Sequence, residues 1–216
     1  MNTDFEIIRI AGIALAFIIA IIGHEIMHGY TAYKLGDPTA KALGRLSINP
    51  IKHIDPIGSL LVPGVLFAMG APFIFGWAKP VPINMHTVMH NGGENGAIKV
   101  ALAGVTFNFL LVAVFSLIYL FLDSPSNIFE TFFNTFVTYG IIINAILGFF
   151  NLWPIPPLDG SQALKYFAMK HKWYSLVVWI NKLAPYGFFI LMAIIATPLS
   201  SYLFMPIYWL ISKILQ

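Results

Sequence analysis

The residues best placed to do chemistry are His24, Glu25 and His28, which stand in the order His-Glu-x-x-His. On a helix the two histidines lie one turn apart on one face. Two imidazole nitrogens can then meet a single zinc ion, with the carboxylate beside them as a general base for an attacking water. The motif sits inside an apolar run from about Ile7 to Leu35. An ionisable side chain at mid-membrane costs roughly 2.5–3.5 kcal/mol on insertion scales. Three together need a partner, and zinc is the natural one; the plainer alternative is a histidine pair satisfied by backbone carbonyls inside a helix bundle. Gly12, Ala16 and Ala20 continue the same i+4 line, so this face can approach other helices closely.

The composition says which elements must position that motif. Of 216 residues 58% are hydrophobic and 10% charged, and the mean hydropathy is +0.80. An ordinary soluble domain is excluded, and a polytopic membrane protein is indicated. The length leaves room for five or six spanning helices at about 20 residues each, and little else. Without cysteine there are no disulfides and no thiolate zinc ligands. The net charge of +3 comes with no basic stripe and no glycine-rich phosphate loop, so lysines and arginines read as topology signals and no nucleic-acid partner is expected. Met1 to Glu6 lack a basic n-region and a small-residue cleavage site, so the first segment is expected to be a retained helix.

The first helix is expected over Phe5 to Tyr33; if the hydrocarbon core begins near Ile10, His24 lies about 21 Å into a core of about 30 Å. The segment Lys34 to Asp55 carries Lys34, Lys41, Arg45 and Lys52 and is expected on the cytoplasmic side. Ile57 to Trp77 is apolar but broken by Pro63, Gly64, Gly70, Pro72 and Gly76. Val100 to Leu122 and Thr131 to Trp153 read as clean spans, the second ending in Pro154-Ile155-Pro156-Pro157. Asp159-Gly160 then opens a short helix with Lys165, Lys170, His171 and Lys172. Trp173 to Gln216 reads as one span near Tyr186 to Ala196, with a partly amphipathic helix on either side. The fold class is therefore an all-α polytopic membrane protein with five to six membrane helices. It is expected to form one transmembrane domain over 1–216, with a core over 5–170 and C-terminal helices over 173–216.

Two histidines leave a catalytic zinc one protein ligand short. Among the few carboxylates, Asp159 stands at the inner end of a span at a depth compatible with His24. It could equally cap the helix that starts at Gly160, and spacing alone leaves both readings open. If Asp159 does share a metal with the histidines, the chain must cross the membrane an even number of times between them. Ile57 to Trp77 is then expected to be re-entrant, because its prolines and glycines are tolerated at depth only against protein or a wet cavity.

Five motifs resemble the site-2 proteases, the intramembrane zinc metalloproteases. They are His24-Glu25-Ile26-Met27-His28-Gly29; Asn49 to Gly58, containing His53 and Asp55; Phe75 to Asn84, containing Trp77, Pro80 and Pro82; Ala103 to Asn108; and Asn151 to Gly160. They follow the family's order from residue 24 to 160, while the tail after Asp159 matches only loosely. Val105 stands where the family often has proline, and Ser161 where a second glycine is frequent.

The resemblance implies that His24, His28 and Asp159 bind one zinc ion per chain and that Glu25 activates the water. It implies that Asn151, eight residues before the aspartate, faces the site and holds the substrate backbone or the oxyanion. Gly76 to Asn84 would supply an extended edge for an unwound substrate, with Trp77, Pro80 and Asn84 as candidate contacts. This would be a short membrane-associated β element, acting by β-augmentation. His53 is a further candidate contact, beside the plainer reading of an interfacial turn held by Asn49-Pro50 and Asp55-Pro56. Asn108 could contact substrate or bond across helices. The resemblance is to a minimal form without PDZ or CBS domains. It implies transmembrane protein or peptide substrates and a multi-pass place in the inner or plasma membrane, with the active site toward the cytoplasm. A metal transporter using the same ligands, and an inactive protease-like membrane scaffold, are the rival readings. Polar residues cluster in the inner half, against a through-path, and Glu25 is intact, against a scaffold. His86 and His90, also at i and i+4, are a weaker second metal candidate without a third ligand.

Overall fold

In the computed structural model, residues 3–70 and 76–216 are described. Helix α1, Thr3–Lys34, runs 32 residues without a proline, with Asp4 and Glu6 in its first turn and Lys34 in its last, each charge opposing the helix dipole. It stops at Gly36, whose φ of +88° turns the chain, and the short α2 (Thr39–Ala42) follows. Two proline-led turns come next. Asn49 accepts the Ile51 N–H at the head of a 3-10 turn, Pro50–His53, and Asp55 accepts the Ile57 and Gly58 N–H groups at the head of a wide turn, Pro56–Leu61. Helix α3 (Val62–Ala68) continues from the latter.

Helix α4 (Met85–Tyr119) is capped by Asn84 and kinked at Gly93, where φ is +58°. Helix α5 (Ile128–Asn151) opens with a reciprocal cap: Asn127 accepts the Glu130 N–H, and the Glu130 carboxylate accepts the Ser126 N–H and hydroxyl. Then come α6 (Asp159–Lys170), α7 (Tyr174–Leu183), α8 (Gly187–Ile195) and α9 (Leu199–Ile214).

Packing is led by α1, α4 and α5, which contact one another pairwise, with α6 against α4 and α9 against α5. Small residues let α1 in. Ala16 and Ala20 are fully buried, and a Cβ on Gly12 would stand 2.9 Å from the Phe132 carbonyl of α5. In lipid this close backbone approach is the main source of helix association, since lipid tails are as apolar as leucine. Val112, Phe115, Val137, Ile141, Ala145 and Ile207 form one core between α4, α5 and α9; Ala32, Val88, Ala97 and Val100 form another nearer the motif.

The count of spans is lower than the sequence suggests. Four helices among the described residues are long and apolar enough to cross a membrane: Thr3–Lys34, Met85–Tyr119, Ile128–Asn151 and Tyr174–Ile195. The last joins α7 and α8 through a 3-10 turn at Ala184–Tyr186, so the span expected near Tyr186 starts earlier and absorbs the helix expected before it. Helix α9 has 16 residues and contains Pro206, short of the roughly 20 that a bilayer core needs. Of Ile57 to Trp77, the described part includes only the short apolar run Pro56–Ala68; residues 71–75, with Phe75 of the third motif, lie outside the described residues. Among the described residues, two of these helices, α4 and α5, lie between the histidines and Asp159.

No strand occurs among the described residues, so the β element is not formed as a ladder. The reason lies in its partners. Trp77 N–H donates to Gly58 O, Lys79 N–H to His53 O, and Val81 N–H to a side chain. Pro80 and Pro82 have no N–H to give.

Asp37 locks the end of α1 to the start of α4. It is buried, and its carboxylate accepts the Thr39 N–H and hydroxyl on one oxygen and the Asn84 N–H on the other. Burial pushes its carboxyl upward, but the Thr39 and Asn84 donors outweigh this and hold it below the usual carboxylate range. A depressed acid stabilises the fold above its unfolded-state pKa, about 3.9, and loses that contribution as pH falls through the lower folded value. Asp37→Ala is therefore expected to lower stability by about 1–3 kcal/mol at neutral pH, with the gap to wild type closing below about pH 4; thermal unfolding across pH checks this.

Candidate metal centre

Helix α1 presents His24 and His28 toward α4 and α6. Their Nε2 atoms lie 3.1 Å apart, and Asp159 Oδ2 stands 3.1 Å from His24 Nε2 and 3.2 Å from His28 Nε2. Among the described residues these three form the group of side chains able to share one metal ion.

The outer nitrogens decide what the inner ones can do. His28 Nδ1 lies 2.7 Å from the Val100 carbonyl, which only accepts, so Nδ1 carries the hydrogen. His24 Nδ1 lies 2.6 Å from Asn108 Oδ1 and donates to it. Both Nε2 atoms then face inward as lone pairs, and Asp159 Oδ2 is buried without a donor. Three acceptors converge with no hydrogen between them, and a cation satisfies all three. Tetrahedral zinc with ligands at 2.0–2.1 Å would place them about 3.3–3.4 Å apart; the observed triangle is slightly tighter. The donor set of two imidazoles and a carboxylate, each imidazole held from behind, fits zinc.

Asp159 is the first residue of α6 rather than its cap. Leu158 occupies the cap position, and no side-chain cap bond forms there. The carboxylate is therefore turned toward the histidines. Gly160 permits the turn: a Cβ there would stand 2.1 Å from the Leu152 carbonyl. On α4, Val100, Gly104 and Asn108 follow one line at intervals of four. The outer two bond the histidines. Between them, a Cβ on Gly104 would come within 2.6 Å of three atoms of the His24 ring.

A cavity of about 640 Å³ opens onto the triangle, lined by Glu25, Trp77, Pro80, Val81, Asn151 and Asp159 among others. Glu25 Oε2 accepts the Val81 N–H at 2.9 Å. Asn151 reaches the wall with its amide donating to Leu147 O, one turn back. The other expected residues lie elsewhere. Asn108 is fully buried behind His24, donating to Ala20 O and Asn144 Oδ1. Asn84 caps α4 by accepting the His86 and Thr87 N–H groups. His53 donates from Nε2 to Ser47 O and lines a neighbouring apolar cavity of about 600 Å³ with Phe17, Ile18 and Trp77. His86 and His90 are outside the metal group.

Sequence reasoning missed four contributors. The Val100 carbonyl and the Val81 N–H are backbone groups, which residue type cannot reveal. Arg45, read only as a topology charge, is buried and donates to the Lys79 carbonyl at 2.7 Å. Gly104 lies within the Ala103 to Asn108 motif, but nothing in the sequence said that a histidine ring would fill the space of its missing Cβ.

The helical membrane architecture and the His-Glu-x-x-His triangle define a class, and comparison with known proteins agrees: the chain belongs to the site-2 protease family, peptidase family M50. The model of Peptidase family M50 matches residues 122–194. YwhC of Bacillus subtilis (strain 168), named as a zinc metalloprotease, is 32% identical over 198 residues, covering 90% of this chain and 84% of that protein. Rip2 of Mycolicibacterium smegmatis, named likewise, is 30% identical over 209 residues, covering 89% and 73%. Rip2 of Mycobacterium tuberculosis (strain H37Rv) is 26% identical over 202 residues, covering 90% and 70%. No solved structure matches the chain.

Gly104→Ala is expected to push the His24 ring out of the triangle and weaken metal binding at least about 10-fold, the order of loss seen when a ligand's support is removed. Metal content after purification, beside the circular dichroism of the same sample, measures this.

Proposed function

We propose that this chain is an intramembrane zinc metalloendopeptidase that cuts peptide bonds within or near transmembrane segments of membrane proteins. One observation carries the reading: three convergent acceptor atoms, from His24, His28 and Asp159, share a cavity with the Glu25 carboxylate. Family membership and the zinc metalloprotease names of the relatives support it. The chain is a multi-pass membrane protein with membrane-protein substrates.

His24, His28 and Asp159 would hold the zinc. When bound, zinc lowers the pKa of a water to about 7 and polarises a carbonyl. Glu25 takes the proton of the attacking water and passes it to the leaving amine. The Val81 N–H on its Oε2 keeps that carboxylate facing the cavity. Asn151 holds the substrate backbone or the oxyanion after its amide leaves Leu147 O.

A helical substrate has its carbonyls tied to its own N–H groups and must unwind before attack. The extended stretch 77–83 is the edge that receives it. Its odd residues are bound to the enzyme: Trp77 to Gly58 and Ser59, Lys79 to His53 and Arg45, Val81 to Glu25. Alternation leaves Ala78, Pro80 and Pro82 for the other side. Two prolines offer carbonyls and no N–H, so this edge takes substrate N–H groups while leaving substrate carbonyls free for attack. Trp77, Pro80 and His53 are the side chains beside that path, and Asn84 acts by fixing the end of it. Re-entrance of the segment expected over Ile57 to Trp77 belongs to this reading; of its described residues, Gly76 and Trp77 line the cavity. Lys34 to Lys52, and Lys165 to Lys172, put the metal centre toward the cytoplasmic side of the cell membrane. The catalytic core spans 5–170, with the helices of 173–216 packed on it in one domain.

Two substitutions test this reading. Glu25→Gln is expected to lower cleavage of a model transmembrane substrate by about 10²–10⁴ while bound zinc stays near one per chain. A transporter would keep its flux in vesicles, and a scaffold would show no cleavage to lose. Arg45→Met frees Lys79 and is expected to cost about 10-fold or more in kcat/KM through misplacement of the edge, with zinc content unchanged. Loss of zinc in the Arg45 variant would place the arginine in the metal site's support instead.

A further inference from the structure

His28 and His24 are held from behind in different ways. His28 donates straight to a helix carbonyl. His24 donates to Asn108 Oδ1, Asn108 Nδ2 donates to Asn144 Oδ1 at 2.8 Å, and Asn144 Nδ2 donates to Gly140 O at 2.7 Å. Asn108 and Asn144 are both fully buried, and Asn144 is absent from the cavity wall.

We propose that Asn144, on α5, is a positioning residue for the metal centre: through Asn108 it fixes which nitrogen of His24 carries the hydrogen. The polarity of the chain is set at its far end. Gly140 O can only accept, so Asn144 must turn its nitrogen there and its oxygen toward Asn108. Asn108 must then turn its nitrogen to Asn144, a choice reinforced by Ala20 O at 3.3 Å, and its oxygen to His24. His24 Nδ1 must carry the hydrogen, and Nε2 is left bare for the metal. Two primary amides thus carry the demand of one carbonyl on α5 across α4 to a ligand on α1. Because both amides are fully buried, a reversed amide would set like against like at their junction.

The inference rests on the metal-site reading, and the experiment separates the two. Full-length protein in detergent is titrated with zinc against a chelator of known affinity. Wild type is expected to bind one zinc, and His24→Ala to lose it; if wild type binds none at this site, the metal reading itself fails. Asn144→Leu, similar in volume and without an acceptor, is expected to weaken zinc about 10–100-fold, the range for losing a ligand's outer partner. Asn108→Asp supplies a carboxylate that accepts from His24 Nδ1 without help, so in that background Asn144→Leu is expected to cost nothing further in zinc affinity. Tight zinc binding by Asn144→Leu alone, or an equal loss in both backgrounds, would reduce Asn144 to packing and overturn the proposal. Recovery of binding in the double variant excludes misfolding as the cause of loss in the single one.

Discussion

Three lone pairs point at one another at the centre of this molecule, from His24 Nε2, His28 Nε2 and Asp159 Oδ2, at separations of 3.1–3.2 Å. In water such a cluster would relax apart or recruit solvent. In a low-dielectric interior unpaired acceptors are costly, so the arrangement persists only because the scaffold holds it and a cation can complete it. The rest of the fold is best understood as the means of holding that frustrated triangle closed. The acceptors behind the histidines come from α4, the carboxylate from the first turn of α6, and Gly12 lets α1 approach α5 closely.

Close packing and chemistry are linked at the same residues. Helices in lipid gain little from burying apolar side chains against each other, and they depend on small residues and a few buried hydrogen bonds. Here Gly104 serves both needs, since the space that a Cβ would fill is taken by the His24 ring. Asn108 likewise joins α1, α4 and α5 while holding that ring. A polar group that would be a liability in lipid becomes an interhelical tie with every donor used.

The central motif and the three long apolar helices were legible because their signals are periodic or carry ionisable residues where lipid is expected. Asp159 was legible as a ligand candidate only in competition with a capping role, because residue type does not say which way a carboxylate at a helix start turns; the chain turns it inward, with Leu158 at the cap. The span expected near Tyr186 begins at Tyr174, because Pro185 does not interrupt it. In the fold it occupies a 3-10 turn that lets α7 run on into α8. The β element failed to form because two of its residues are prolines and its partners are turns rather than a strand. Asn84 was a candidate substrate contact, and Asn108 was open between substrate and an interhelical bond; in the fold Asn84 caps α4 and Asn108 joins His24, Ala20 and Asn144. Asparagine carries a donor and an acceptor, and sequence alone cannot say who receives them.

On the proposed function, the distribution of bonds bears on where a substrate would enter. Helices α1, α4 and α5 are locked by buried amides and by backbone approach, and parting them would pull His24 and His28 away from their supports on α4 and open the triangle. The described residues of the opposite wall, 50–70 and 76–84, are held differently. Its bonds to the rest of the fold include Arg45 donating to the Lys79 carbonyl, Val81 N–H to Glu25 and Asn84 N–H to Asp37, and none of these uses a proposed metal ligand. One of them, Val81 to Glu25, occupies the carboxylate proposed as the base. On that proposal, admission of a peptide and release of the base would be movements of the same wall, with His24, His28 and Asp159 left in place.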